Sequence, residues 1–140
     1  MFVGEYSHTV DPKGRVLLPA KYRDYFGEVV YLARNIDNCI TAYTAAAWAE
    51  VTNLLNSQPK TKLRDYRRQF FSSASEVQVD SAGRILLPPN LREYAGIDKN
   101  AKIIGAGEYA EIWNEEIYDK HMSALNEDGN FEEMLNEMGL

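Results

Sequence analysis

One stretch of this chain is written twice. VDPKGRVLLPAKYR at residues 10–23 returns as VDSAGRILLPPNLR at residues 79–92, with a constant separation of 69 residues and eight of fourteen positions identical. Asp11, Gly14, Arg15, Leu17, Leu18, Pro19 and Arg23 recur as Asp80, Gly83, Arg84, Leu86, Leu87, Pro88 and Arg92, and a valine opens both copies. One supersecondary unit therefore occurs twice.

The chemistry of each copy is local. Asp at the first position, Pro12 at the second and Gly14 at the fourth are the preferences of a type I turn. The glycine supplies the positive φ that follows such a turn in a bulged hairpin, and the Asp carboxylate can accept from backbone amides two or three residues on. Arg15 and Arg84 then stand where the chain returns. Pro19 and Pro88 suit the first position of a short helix, and Gly27 and Gly96 suit its end. Each copy predicts a strand, a tight turn, a strand, a short helix and a further strand pair.

A single repeat is about 43 residues, near the roughly 40 below which a chain buries too little apolar surface to stand alone. The halves are expected to fold together within the 140 residues. The lone Cys39 excludes an internal disulfide and reads as a buried small hydrophobe. No run approaches the roughly 18 apolar residues of a membrane span, and MFVGEYSH lacks the features of a secretion signal, so a cytoplasmic location is expected. Net charge is −6, unevenly placed: residues 1–100 carry 13 Lys and Arg against 11 Asp and Glu, whereas residues 101–140 carry 2 against 10.

Residues 2–7 predict a strand leading into the first turn, and residues 29–34 and 39–43 predict the pair that closes the first repeat. Thr44 predicts a helix start by its side-chain oxygen, with Trp48 as a core anchor and Ser57 and Pro59 at the end. A second helix, residues 60–71, carries Lys60, Lys62, Arg64, Arg67 and Arg68 against Asp65 alone. Such a surface either touches phosphates or pairs with the acidic tail of its own or an adjacent subunit. Residues 75–79, 102–105 and 108–113 repeat the strands, with Gly105 and Gly107 read as a turn rather than a phosphate cradle. Glu115, Glu116 and Asp119 open another helix. Phe131, Met134, Leu135 and Met138 fall at helical spacing in a tail that reads as a short helix ordered by a partner chain.

No catalytic constellation is present. His8 and His121 are far apart, and His8 has no second histidine at metal-ligand spacing, so neither a metal nor a cofactor is expected. Asp11 and Asp80 could pair across a pseudo-twofold axis, but each has an arginine four residues on that would hold it ionised, which suits anchoring better than proton transfer. An enzyme is not expected.

The duplicated Asp-x-x-x-Arg turns, each followed by an apolar run and Pro, with Ile112 and Trp113 and the opening MFVGEY, resemble the MraZ family over most of the chain. The resemblance implies an α+β fold, mainly β with short helices: a duplicated AbrB-like swapped-hairpin, double-split β-barrel with connecting and C-terminal helices. It divides the chain into repeat 1 at residues 5–47, a helical connector at 48–75, repeat 2 at 76–119 and an acidic tail at 120–140. It also implies a bacterial, nucleoid-associated transcriptional regulator that binds double-stranded DNA at repeats upstream of the division and cell-wall gene cluster containing its own gene. The expected assembly is an octamer-type ring, with no membrane or small-molecule partner.

The DNA-facing residues carried over are Arg15 and Arg84, with Lys13 beside the first. Asp11, Gly14, Asp80 and Gly83 shape the turns. Ser81 and Ala82 replace Pro12 and Lys13, so the first tip offers two cations and the second one. A salt bridge from Arg15 to Asp11 and from Arg84 to Asp80 is the structural alternative, and both roles can coexist. Arg23 and Arg92 fit either a helix-to-hairpin ion pair or a DNA contact, with the ion pair favoured. A different class of function, an antitoxin-like module whose acidic tail binds a partner protein, is disfavoured by the second repeat.

Overall fold

The computed structural model describes residues 1–140 and contains eight strands and six helices. Repeat 1 supplies β1 (Glu5–Thr9), β2 (Arg15–Leu17), α1 (Ala20–Phe26), β3 (Val29–Arg34) and β4 (Ile40–Tyr43). The connector is α2 (Ala45–Asn56) and α3 (Lys60–Ser73). Repeat 2 supplies β5 (Ser75–Gln78), β6 (Arg84–Leu86), α4 (Pro89–Ala95), β7 (Asn100–Gly105) and β8 (Ala110–Asn114), and the chain continues into α5 (Glu115–Glu127) and α6 (Asn130–Glu137).

Each short helix starts behind its proline: Pro19 and Pro88 are the caps themselves, one position earlier than expected. Both helices end at glycines with positive φ, Gly27 at 73° and Gly96 at 66°. Thr44 caps α2 by accepting from the Ala47 amide at 3.1 Å, and Asn114 caps α5 by accepting from the Ile117 amide at 3.1 Å. Each such cap satisfies an amide that the helix leaves unpaired.

The strands cross between the repeats. Their order in the main sheet is β1-β7-β8-β4-β3-β5, while β2 and β6 form a separate two-stranded ribbon. β1 of repeat 1 pairs with β7 of repeat 2, and β5 of repeat 2 pairs with β3 of repeat 1, all antiparallel. The predicted hairpins are therefore local only at their turns: β1 and β2 share the turn bond from the Asp11 amide to the Arg15 carbonyl at 2.9 Å, then take partners from the other repeat. The main ladder stays open, so the barrel is split into two sheets and does not close.

Strand periodicity separates two apolar faces. On one, Val30, Leu32, Ile40, Ala42, Ile103 and Ile112 pack with Tyr22 and Phe26 of α1, Leu91 and Ala95 of α4, and Val16 and Ile85 of the ribbon. Burial of each large side chain contributes about 1.5–3 kcal/mol relative to exposure. The expected strand at residues 2–7 is shorter and later, because Phe2 leaves it to bridge Gly107 and to pack its ring on Tyr22 and Phe26 at 5.0 and 4.8 Å. Gly105 lets the Phe2 backbone approach where a Cβ would collide. Tyr22 ties this arm down by donating its hydroxyl to the Val3 carbonyl at 2.7 Å, and burial pushes the phenol up to about 12.

The opposite face carries α2 and α3 over β3 and β4, and α5 over β7 and β8. Trp48 is not a core anchor, because α2 lies outside the sheet. The indole is half-buried, stacked between Tyr31 at 5.4 Å and Phe70 at 5.8 Å. Cys39 is fully buried with Trp113 and Tyr118, and burial holds its thiol protonated. Lys102, nearly buried, reaches Asp119 at 2.6 Å and Glu5 at 3.6 Å, and the Asp119 carboxylate holds its ammonium charged. This pair fastens α5 to the sheet.

Candidate nucleic-acid interface

The two turns have the same construction. Asp11 Oδ1 accepts from the backbone amides of Lys13 at 3.0 Å and Arg15 at 2.8 Å, while Oδ2 accepts from Arg15 Nε at 2.8 Å. In the second turn Asp80 Oδ1 accepts from Ala82 at 3.0 Å and Arg84 at 2.8 Å, and Oδ2 accepts from Arg84 Nε at 2.9 Å. The amides lie two and four residues on, rather than two and three. The fourth residue is the left-handed glycine: Gly14 has φ 86° and Gly83 has φ 83°, a conformation that other residues adopt only with strain. Both carboxyls lie below the usual carboxylate range, first because of the Arg15 or Arg84 amide and then because of the same residue's guanidinium.

Each ion pair engages only one edge of its guanidinium. The Nε end is locked to Asp, which fixes the plane of the fork. The terminal nitrogens of Arg15 donate to nothing within the chain, and the only carboxylate near Arg84 Nη1 is Asp11, at 3.9 Å. That cross-contact shows that the turns lie side by side. The salt bridge weighed against a DNA role is therefore present, and it leaves the donor fork available.

The ribbon places the arginines on one face. Arg15 pairs with Leu86, Val16 with Ile85 and Leu17 with Arg84. Cross-strand partners point the same way, so Val16 and Ile85 face the core while Arg15, Arg84, Leu17 and Leu86 share the outer face. Leu17 is 37% exposed and Leu86 47%. Sequence reading had absorbed both leucines into an apolar run. No sequence signal separates them, since Val16-Leu17-Leu18 and Ile85-Leu86-Leu87 are continuous apolar runs, and only the ribbon register turns the two leucines outward. The tips, with Lys13 at one and Ser81 and Ala82 at the other, are exposed.

Arg23 and Arg92 form no ion pair with the turns, contrary to the favoured reading. Each lies over the glycine of the opposite turn instead. A methyl group built on Gly83 would overlap the Arg23 guanidinium, and one on Gly14 would come within 3.1 Å of that of Arg92. Arg23 Nε donates to the Leu18 carbonyl at 3.0 Å, whereas Arg92 Nε is buried without a partner. The helix of each repeat thus backs the turn of the other.

Two further features lie away from the ribbon. Lys60, Arg64, Arg67 and Arg68 line one side of α3 around Phe71. His8, on β1, has a buried Nε2 with no partner, and burial followed by the charge of Arg23 lowers its pKa. His121 packs against Trp113 at 5.4 Å. No group of three or more His, Cys, Asp and Glu side chains is gathered where a metal ion could be held.

The comparisons agree with this architecture at the level of the whole chain. A family model described as "MraZ protein, putative antitoxin-like" matches residues 1–68 and again residues 70–138, one match for each repeat. A protein named transcriptional regulator MraZ from Alkaliphilus oremlandii is 44% identical over 140 residues, covering 99% of this chain and 96% of its own. Proteins of the same name from Acetivibrio thermocellus and Desulforamulus reducens are each 44% identical, over 90% and 86% of this chain and 90% and 87% of theirs. With both halves matched and the shared length nearly complete, the chain belongs to the MraZ family.

Proposed function

We propose that this chain is a transcriptional regulator that binds double-stranded DNA through its two Asp-x-x-x-Arg turns. The reading surface is the outer face of the β2–β6 ribbon, with Arg15, Arg84 and Lys13 as DNA contacts and Asp11, Gly14, Asp80 and Gly83 as the groups that shape it. Its targets are repeats upstream of the division and cell-wall gene cluster, its own gene included, reached in the cytoplasm on the nucleoid. A ring-like homo-oligomer sets several such surfaces in a row.

One observation carries the reading: each arginine is oriented by a bond through Nε and keeps terminal donors free on an exposed ribbon. A preset guanidinium loses less rotational freedom on grasping a phosphate or the O6 and N7 of guanine, and a two-stranded ribbon fits the major groove. The names of the relatives agree with a regulator. An acidic chain can act this way because the field that matters is local to one face, and weak contacts add along an oligomer.

The test is fluorescence anisotropy on the duplex upstream of the gene and on a scrambled duplex, across salt concentrations, with folding and particle size checked for each variant. Wild type should prefer the upstream duplex and weaken steeply with salt. Arg15→Ala and Arg84→Ala should each bind at least tenfold more weakly, with Arg15 the more costly because Lys13 stands beside it. Equal binding of both duplexes by wild type and variants would make the arginines structural.

A second reading, a module that binds a partner protein through its tail, is favoured by the uncovered apolar side of α6. Co-purification of a partner without preference for the upstream duplex would support it instead.

A further inference from the structure

We propose that α6 of one chain docks along the cationic side of α3 on a second copy of the same chain. This deepens the oligomer reading above, on which it rests, by naming the surfaces that hold the copies together.

The donor surface is an amphipathic helix with nothing over its apolar side. Phe131, Met134 and Met138 fall at steps of three and four, and Phe131 and Met138 are 54% and 58% exposed. Leu135 is the half-buried member of the stripe, and α6 packs against α5. At 100° per residue, Glu132 flanks the stripe on one side and Glu137 on the other. Both are exposed, as are Glu127 and Asp128 where α5 runs into α6.

The acceptor surface has the complementary pattern. Lys60, Arg64, Arg67 and Arg68 recur at steps of three and four on one side of α3, and the half-buried Phe71 lies among them. The alkyl stems of Lys and Arg form an apolar floor while their heads reach outward. Only Asp65 opposes them on the helix, pairing with Arg68 at 2.9 Å at a largely exposed position where such a pair is worth little. Arg67 is already held, donating to Asn56 at 2.6 Å with its guanidinium over Phe71, and Arg64 and Lys60 have no carboxylate partner.

The sizes agree as well. From Lys60 to Phe71 the stripe is about 16 Å long, and the eight residues of α6 span about 12 Å. Laid along α3, α6 would seat Phe131 and the two methionines on Phe71 and the alkyl stems, where methionine sulfur packs well against an aromatic edge. Glu132 and Glu137 would then flank the contact within reach of the cations. A second copy fits this occupant because each chain carries both halves of the contact, with an acidic excess in residues 101–140 and a basic run in α3.

The experiment is sedimentation and light scattering on full-length protein: wild type, Arg64→Glu with Arg68→Glu, Glu132→Lys with Glu137→Lys, and an equimolar mixture of the two variants. All substitutions are on exposed positions, and circular dichroism checks that helix content is unchanged. Wild type should be a multimer that shrinks as salt is raised, and each variant should be smaller. The mixture should regain the larger particle, since each reversed surface then meets its opposite on another chain. A variant pair that leaves multimer size unchanged, or a mixture that stays small, overturns the docking while leaving the DNA reading intact. An α3 variant that loses DNA binding with no change in mass assigns the stripe to phosphates and also overturns it. A monomeric wild type defeats the oligomer reading itself.

Discussion

Gly83 is subject to two constraints at once. Its φ of 83° disfavours any side chain, and the Arg23 guanidinium occupies the space a Cβ would need. Gly14 has the first constraint in full and the second only in part. Gly14→Ala should cost about 1 kcal/mol, and Gly83→Ala should cost more. Thermal melts should show that Arg23→Ala recovers part of the loss at Gly83 and none of the loss at Gly14. The turn was legible because Asp, Gly and Arg act within five residues. The role of Arg23 was not, since its partner belongs to the other repeat. Leu17 and Leu86 give a second prediction at this scale. Being exposed, each should change stability by no more than about 0.5 kcal/mol when cut to alanine. On the proposed DNA face, however, they would meet the thymine methyls of the groove, so alanine there should weaken anisotropy-measured binding several-fold. His8 gives a third. Folding favours its neutral form, so its contribution to stability is complete above the unfolded pKa of about 6.5 and falls as pH drops below that value. Melts from about pH 8 to about pH 5 should slope downward, and His8→Gln should flatten that slope.

The exchange of strands is what joins the elements. β1 with β7, β2 with β6, β3 with β5 and β4 with β8 are four ladders that each cross from one repeat to the other. The α2–α3 junction at Ser57 to Pro59 lies outside all of them. A chain cut there through an inserted protease site should stay one particle on native gel filtration, and should separate only in denaturant. The number and kind of elements were readable, because strand alternation, Thr44 and the paired prolines and glycines act locally. Pairing was not readable from the residues alone, because nothing in a turn states whether its two strands meet each other or a copy elsewhere; only the resemblance, with its swapped hairpins, implied the exchange. The same lack of tertiary information misplaced Trp48: its spacing along α2 identified an inward face, but the face it meets is an outer aromatic layer of Tyr31, Tyr43 and Phe70.

At the scale of the whole molecule, the excess of negative charge lies toward the C-terminal end, where residues 101–140 carry 10 acidic side chains against 2 basic ones. The acidic C-terminal residues gather in α5 and α6, while the candidate DNA contacts stand on the ribbon. No helix is long and apolar enough to cross a membrane. If the ribbon reads DNA, each arginine that meets a phosphate should contribute about one unit of slope to a log affinity against log salt plot, and Arg15→Ala should lower that slope by about one. The interleaved sheet bears on synthesis. β1 is made before the other strands of its sheet, yet Glu5 to Thr9 wait for Asn100 to Ile104 before their ladder can form. Contacts so distant along the chain close slowly. A nascent polypeptide of this kind carries an unpaired strand until repeat 2 has been made, and only then can repeat 2 complete the sheet of repeat 1.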